Sequence, residues 1–398
     1  MEAGPEDDSE VYCVEDDSDY RSDASAEDED SLAPAVAVFR HHTAPVYALA
    51  MTADASSILS GGGDDRAVLL RRHGTDWSQT SVTAVGGFTD SVAAAVFCGA
   101  QRAAAASLNG ELVLCDGPAL SAAVAAAETA VVQPGAPGCV ALPGIGDAVE
   151  CLRASDSGRL LLCGAADGTA WLFDVERAEF AALLTGHQGC VHAVALSEEA
   201  TRDDVVLFTA GADAQVRVWQ YSLGGGGGDA RLLHAIRGDF HRHSVLCMAT
   251  HQHLLLSGDE GGIACLSNWR TGRCLARLSS AHQDAVQCVA IHARYLVSSG
   301  TDQTSHVYHL DGKYRLSLRH PAPVVHTAWC PDAPDWLAVA TADGHVQIWD
   351  VRGGTGEVPL RSWRAHRDTI HAMEVRGRWL VTGGEDHTVR VFDWTSQA

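Results

Sequence analysis

The sequence predicts an all-β protein built from repeated hairpins, and three observations carry that prediction. A polar turn between two apolar runs recurs eight times, a marker of the form H-x-x-x-[VI] stands wholly or partly before each copy, and one strand-like segment precedes the first copy with nothing to pair. The clearest hairpin is 380–393, LVTGGEDHTVRVFD. Trp379, Leu380 and Val381 lie on one side of GGEDHT, and Val389, Val391 and Phe392 lie on the other, as in two adjacent strands joined by a tight turn. Gly383 and Gly384 are expected to free the backbone for that turn, and Asp386 to fold its carboxylate onto local amides. One such hairpin cannot bury both faces, so it needs neighbours of its own kind.

Taken in order, the chain opens on an acidic segment, 1–33, that is poor in aliphatic residues. It cannot bury enough apolar area to offset the entropy of ordering, so a disordered tail is expected. Residues 1–30 hold fourteen Asp and Glu against Arg21 alone, which places −13 of the net −23 there. That balance argues against nucleic acid as a main partner and favours basic proteins. The tail has two readings, a solubilising segment or an arm that gathers a basic ligand; Ser25, followed by Ala26, Glu27 and Asp28, also looks like an acid-directed kinase site.

Residues 34–398 are expected to form one repeat domain. The strand-like 36–39 comes first, and the markers follow at His42/Val46, His187/Val191, His241/Val245, His282/Val286, His320/Val324 and His366/Ile370. Two copies lack the His: Phe88/Val92 and Ile145/Val149. The hairpins end at Arg71, Asp116, Asp174, Gln220, Trp269, His309, Asp350 and Asp393. A turn Asp is present as Asp64, Asp167, Asp213, Asp302, Asp343 and Asp386, with Asn109 in the second copy and Gly261 in the fifth. A repeat of this length with these signatures means propeller blades.

These motifs resemble the WD-repeat family, and the resemblance covers residues from about 36 to 394. It implies four-stranded blades and hence an eight-bladed β-propeller. In that family His187, Thr209, Asp213 and Trp219 would form the full buried polar tetrad of the fourth copy, while the eighth has Phe392 where Trp is usual. Because the last copy runs out of chain at Trp394 after a third strand, 36–39 is expected to complete it and close the ring. The insertion 117–146 and the glycine run 224–228 are expected to be loops, and the run lacks a P-loop Lys.

Twelve cysteines without a C-x-x-C read as buried, reduced thiols of an intracellular protein. No signal peptide and no membrane-spanning run is recognised, so a cytoplasmic and also nuclear protein is the expectation. There is no H-E-x-x-H, no Cys/His ligand spacing and no G-x-S-x-G, so no enzyme, metal or cofactor is expected.

The position two before the Val or Ile marker is acidic in four blades: Asp90, Asp147, Asp284 and Asp368. Repeats superpose by rotation, so these four are expected on one rim. Glu150, Asp259, Glu260, Asp65 and Glu385 would extend the negative field, and Arg367 would dilute it. Asp at that position also serves as a plain turn residue. Tyr47 and Trp77 are candidate aromatic anchors, with burial the expectation for each.

Within the WD-repeat family, the acidic tail, the eight copies and the hairpins GGGDDRAVLLR and GAADGTAWLFD resemble the group of the angio-associated migratory cell protein and its fungal relatives. That resemblance implies a dedicated chaperone, monomeric, holding a basic segment of a large-subunit ribosomal protein on the acidic rim. The alternative is a scaffold or substrate receptor. Trp336 to Arg352 closes in W-D-x-R and resembles the box that docks some WD-repeat proteins on the adaptor of a cullin-RING ubiquitin ligase, with Trp349, Asp350 and Arg352 carrying it.

Overall fold

The computed structural model describes residues 32–116, 130–132, 138–198, 204–223, 230–236, 240–278, 282–353 and 355–396. The tail 1–31 and the glycine run fall outside them, as does Ser25. The described residues form eight sheets of four or five strands arranged as blades 1 to 8, with no helix among them. In every blade the innermost strand begins at the marker residue, and blade 4 runs outward in chain order through Val191–Glu198, Asp204–Gly211, Val216–Ser222 and Arg231–Ile236.

The ring closes as the sequence predicts. Ala37–Phe39 is the outermost strand of blade 8, paired antiparallel to Val389–Asp393 with Ala37 opposite Val391 and Phe39 opposite Val389. The insertion 117–146 is more than a loop. Its described parts supply Cys139–Ala141, the fourth strand of blade 2, and Ala130–Val132, which adds a fifth strand to blade 1 parallel to Thr80–Val85. Short apolar stretches, too brief to register as repeats, find the two open edges that blades 1 and 2 otherwise present.

Eight apolar clusters hold the ring, one at each boundary between neighbouring blades. At blade 8 against blade 1, for example, Trp379, Val381, Val389 and Val391 pack with Val46, Ile58, Leu70 and Trp77. Alternation explains this: residues of one strand point to its two faces, and both faces of a blade are covered by neighbours.

The glycines of the hairpins have a different role from the one their sequence suggests. The turn of 380–393 takes its positive φ at His387, 62°, and not at Gly383 or Gly384. Both glycines lie inside Trp379–Gly384, where a Cβ on Gly383 would stand 2.7 Å from Val46 Cγ1 and one on Gly384 2.7 Å from His366 Nδ1. The same close approach recurs between Gly61 and Val92, Gly164 and Val191, and Gly258 and Val286. The marker Val therefore docks on a bare backbone patch of the preceding blade. Gly383→Ala is expected to cost about 1–3 kcal/mol by overpacking, set against about 0.4–1 kcal/mol gained through the unfolded chain. Urea denaturation reads the net loss, and a variant as stable as the parent would exclude this packing role.

Candidate partner-binding rim

In all eight blades the pairing register slips directly after the marker residue, at the first position of the innermost strand. A bulge re-aims the side chain it releases. Here the released residues are Tyr47, Ala93, Glu150 and His192 on one half of the ring, and Leu246, Gln287, Val325 and His371 on the other. Together they line one end of the central channel, a cavity of about 300 Å³. Tyr47 is 38% exposed, contrary to the burial expected of it, and its ring meets His371 edge-on at 5.2 Å. His371 Nε2 in turn pairs with the Glu385 carboxylate. Trp77 is fully buried in the cluster between blades 8 and 1.

Around this mouth the four lead-in aspartates share one geometry. Asp90 Oδ1 accepts the Ser91 N–H at 2.7 Å, and Asp147, Asp284 and Asp368 accept those of Ala148, Ala285 and Thr369 at 2.8 Å each. In each, one carboxylate oxygen is engaged by the N–H of the next residue. Asp147, Asp284 and Asp368 are exposed and Asp90 is half-buried. The loop bearing Asp284 packs on the blade 5 turn at Gly262, which brings the exposed Glu260 beside it, and the loop bearing Asp368 packs likewise on Gly344, beside Asp343. Glu150 is exposed at the mouth, while Asp65 is half-buried in the blade 1 turn at φ 58°. Arg66, Arg242 and Arg367 stand at the same end of their blades and interrupt the field.

Asp259 does not belong to this rim. It is 0% exposed, 2.9 Å from His241 Nδ1, and accepts the Gly261 and Ile263 N–H groups at 3.0 and 2.8 Å. With Gly261 at the usual turn position, the carboxylate is supplied two residues earlier. Asp259 therefore ties blade 5 together and cannot meet a partner.

The remaining His–Asp pairs are internal as well. His187 Nδ1 lies 2.8 Å from Asp213, its Nε2 2.8 Å from Thr209 Oγ1, and Trp219 Nε1 donates to the same hydroxyl at 3.1 Å. His42–Asp64, His282–Asp302 and His366–Asp386 repeat the arrangement at 2.8, 3.0 and 2.8 Å with Ser60, Ser298 and Thr382. Blade 7 differs, because Val339 stands where the other pairs have a Ser or Thr for the His to meet. Asp343 bonds Thr341 and pairs with His345, while His320 spans Gln347 and Ser305 of blade 6. In blade 2, where Phe88 replaces the His, the Glu111 carboxylate takes Thr89 N–H and Oγ1–H at 2.8 and 3.0 Å and so ties loop to hairpin.

The opposite end of the channel is mixed in charge. Glu374 and Arg376 line it, 3.4 Å apart, with Arg153 and His326 between the two ends. Burial, with the nearby charge of Arg153, lowers His326 to about 4, and the exposed Asp54 and Asp156 also line that end. Of the W-D-x-R residues, Trp349 is buried, Asp350 accepts the Arg352 and Gly353 N–H groups, and Arg352 alone is presented, 73% exposed.

Residues 34–70, 140–174, 179–220, 312–350 and 357–393 match the family described as WD domain, G-beta repeat. A ribosome biogenesis protein WDR12 homolog of Chlamydomonas reinhardtii is 25% identical over 300 residues, 62% of this chain and 64% of that protein. An uncharacterized WD repeat-containing protein of Schizosaccharomyces pombe is 30% identical over 152 residues, 37% of each. The chain thus spans less than two thirds of the length of these relatives. Among solved structures, Sqt1 of Saccharomyces cerevisiae superposes with a TM-score of 0.75 at 15% identity, covering 89% of this chain and 97% of that one. Sqt1 of Chaetomium thermophilum, bound to the N-terminus of the ribosomal protein L10, gives 0.73 at 19% identity over 90% and 99%. At these identities the likeness is one of fold. The chain thus carries WD repeats, and its described strands form an eight-bladed β-propeller.

Proposed function

We propose that the chain is a non-enzymatic binding protein whose acidic rim holds a short, strongly basic segment of a ribosomal protein and screens its charge until assembly. The observation that carries this reading is the ring of equivalent carboxylates, Asp90, Asp147, Asp284 and Asp368, extended by Glu150, Glu260 and Glu385 around a mouth that exposes Tyr47. Arg and Lys side chains meet such carboxylates in charge-assisted hydrogen bonds, and a rigid ring spends little entropy in presenting them. The fold shared with a protein solved on the N-terminus of a ribosomal protein supports the choice of ligand class.

Asp284→Lys with Asp368→Lys is expected to weaken binding of an Arg/Lys-rich ribosomal segment by about tenfold or more, since each charge-assisted bond is worth about 1.5–3 kcal/mol. Binding to the parent should also fall as salt is raised. Affinity purification with mass spectrometry and peptide titration read the two effects. Undiminished recovery of ribosomal protein by the double variant would refute the proposal.

A second reading rests on the exposed Arg352, at the far end of its strand from the rim. As a ligase receptor the chain would recover an adaptor protein and lose it in Arg352→Ala, with the rim variant unaffected.

A further inference from the structure

At the boundary of blades 3 and 4 the channel mouth brings together three chemically different ligands. Glu150 and His192 are the released bulge residues of neighbouring innermost strands, and Cys190 directly precedes the blade 4 marker Val191. A Glu150 carboxylate oxygen, Cys190 Sγ and a His192 ring nitrogen all lie within 4.8 Å of one another. The Cys190 backbone is held in place, its carbonyl accepting the Ala212 N–H at 2.9 Å. None of the three belongs to the His–Asp network that ties the blades.

We propose that Glu150, Cys190 and His192 form a binding site for a divalent ion of the zinc class, with a fourth coordination position open to the channel mouth. Thiolate, imidazole and carboxylate together are a zinc donor set, whereas Mg²⁺ and Ca²⁺ select oxygen alone. Metal–ligand bonds of about 2.0–2.3 Å in a tetrahedron put ligand atoms about 3.3–3.8 Å apart, so side-chain rotation suffices to close the site. The surroundings favour a cation. The carboxylates of Asp147 and Asp167 add their negative charge to that of Glu150 around the Cys190 sulfur. A metal ion relieves that repulsion by replacing the thiol proton, which leaves to solvent as the sulfur–metal bond forms. Glu150 stands one blade away, forty residues before Cys190, so no linear metal motif marks the three together.

The site does not depend on the ribosomal-protein reading, because its test uses metal alone. The full chain, reduced and stripped with chelator, is titrated with Co²⁺ and then Zn²⁺. The expected result is one Co²⁺ per chain with a sulfur-to-cobalt charge-transfer band that stoichiometric Zn²⁺ removes. Cys190→Ser should abolish the band, His192→Ala should weaken affinity by about tenfold or more, and the exposed thiol variant Cys274→Ser should match the parent. Each variant is compared at equal folded fraction by circular dichroism. No band in the parent, a band that survives Cys190→Ser, or an unchanged affinity in His192→Ala overturns the assignment.

Discussion

Deleting residues 34–40 is expected to lower the melting temperature by on the order of 10 °C. The segment is bonded on both sides of its path: Val36 N–H donates to Val391 O at 2.8 Å, and Ala33 N–H just before it to Arg364 O at 3.0 Å. Phe39 packs edge-on to Trp77 at 6.3 Å and so bridges blade 8 to blade 1. The strand's ladder bonds are worth about 0.5–1.5 kcal/mol net apiece, and the partial burial of Phe39 adds about 1 kcal/mol. Several kcal/mol at about 2–4 °C each gives the stated fall. The loss also leaves Val389–Asp393 as an unpaired edge, so aggregation on heating should increase. Calorimetry reads the midpoint. Phe39→Ala should show a smaller drop, and a deletion that melts within about 2 °C of the parent would mean the ring is held shut elsewhere.

How much of this was legible follows from where each feature's signal lies. Strand pairs and ring closure are written in local alternation, in the spare strand before the first copy and in the strand the last copy lacks, so eight blades can be counted from residues alone. The family match spans blades 1, 3, 4, 7 and 8, whose hairpins keep most of the pattern. Blade 2 substitutes Glu111 for the usual His–Asp tie, and blade 5 moves its carboxylate to Asp259. The moved carboxylate is invisible to a fixed offset from the marker, and that is how Asp259 came to be assigned to the rim. The added strand Ala130–Val132 has no periodic signal, because three residues cannot establish one. The mouth residues could have been found. Tyr47, Glu150, His192 and His371 all follow the marker directly, and superposing the repeats puts them on one ring, but only a bulge turns that strand position toward the channel.

Acid should unfold the protein through its internal carboxylates, and Asp386→Asn should blunt that response. Burial alone pushes the Asp386 carboxyl up, but the hydrogen bond and charge of His366, the Thr388 hydroxyl and the Arg390 charge outweigh it and hold the group far below the ordinary carboxylate range. Asp64, Asp259 and Asp302 are lowered in the same way, each against its own burial, by His42, His241 and His282. A carboxylate whose folded value lies below its unfolded value of about 3.9 adds stability at pH above that value, and the addition is lost as pH falls through the folded one. Stability from these four pairs should therefore be fully present at neutral pH and decline steeply below about pH 4. Asp386→Asn keeps the shape of the side chain and removes its charge. It should sit about 1–3 kcal/mol below the parent at neutral pH and converge toward it in acid, as urea midpoints taken from pH 7 to 3 would read. Parallel curves over that range would show that Asp386 is not among the groups that titrate on unfolding, and would move the acid lability to the exposed rim.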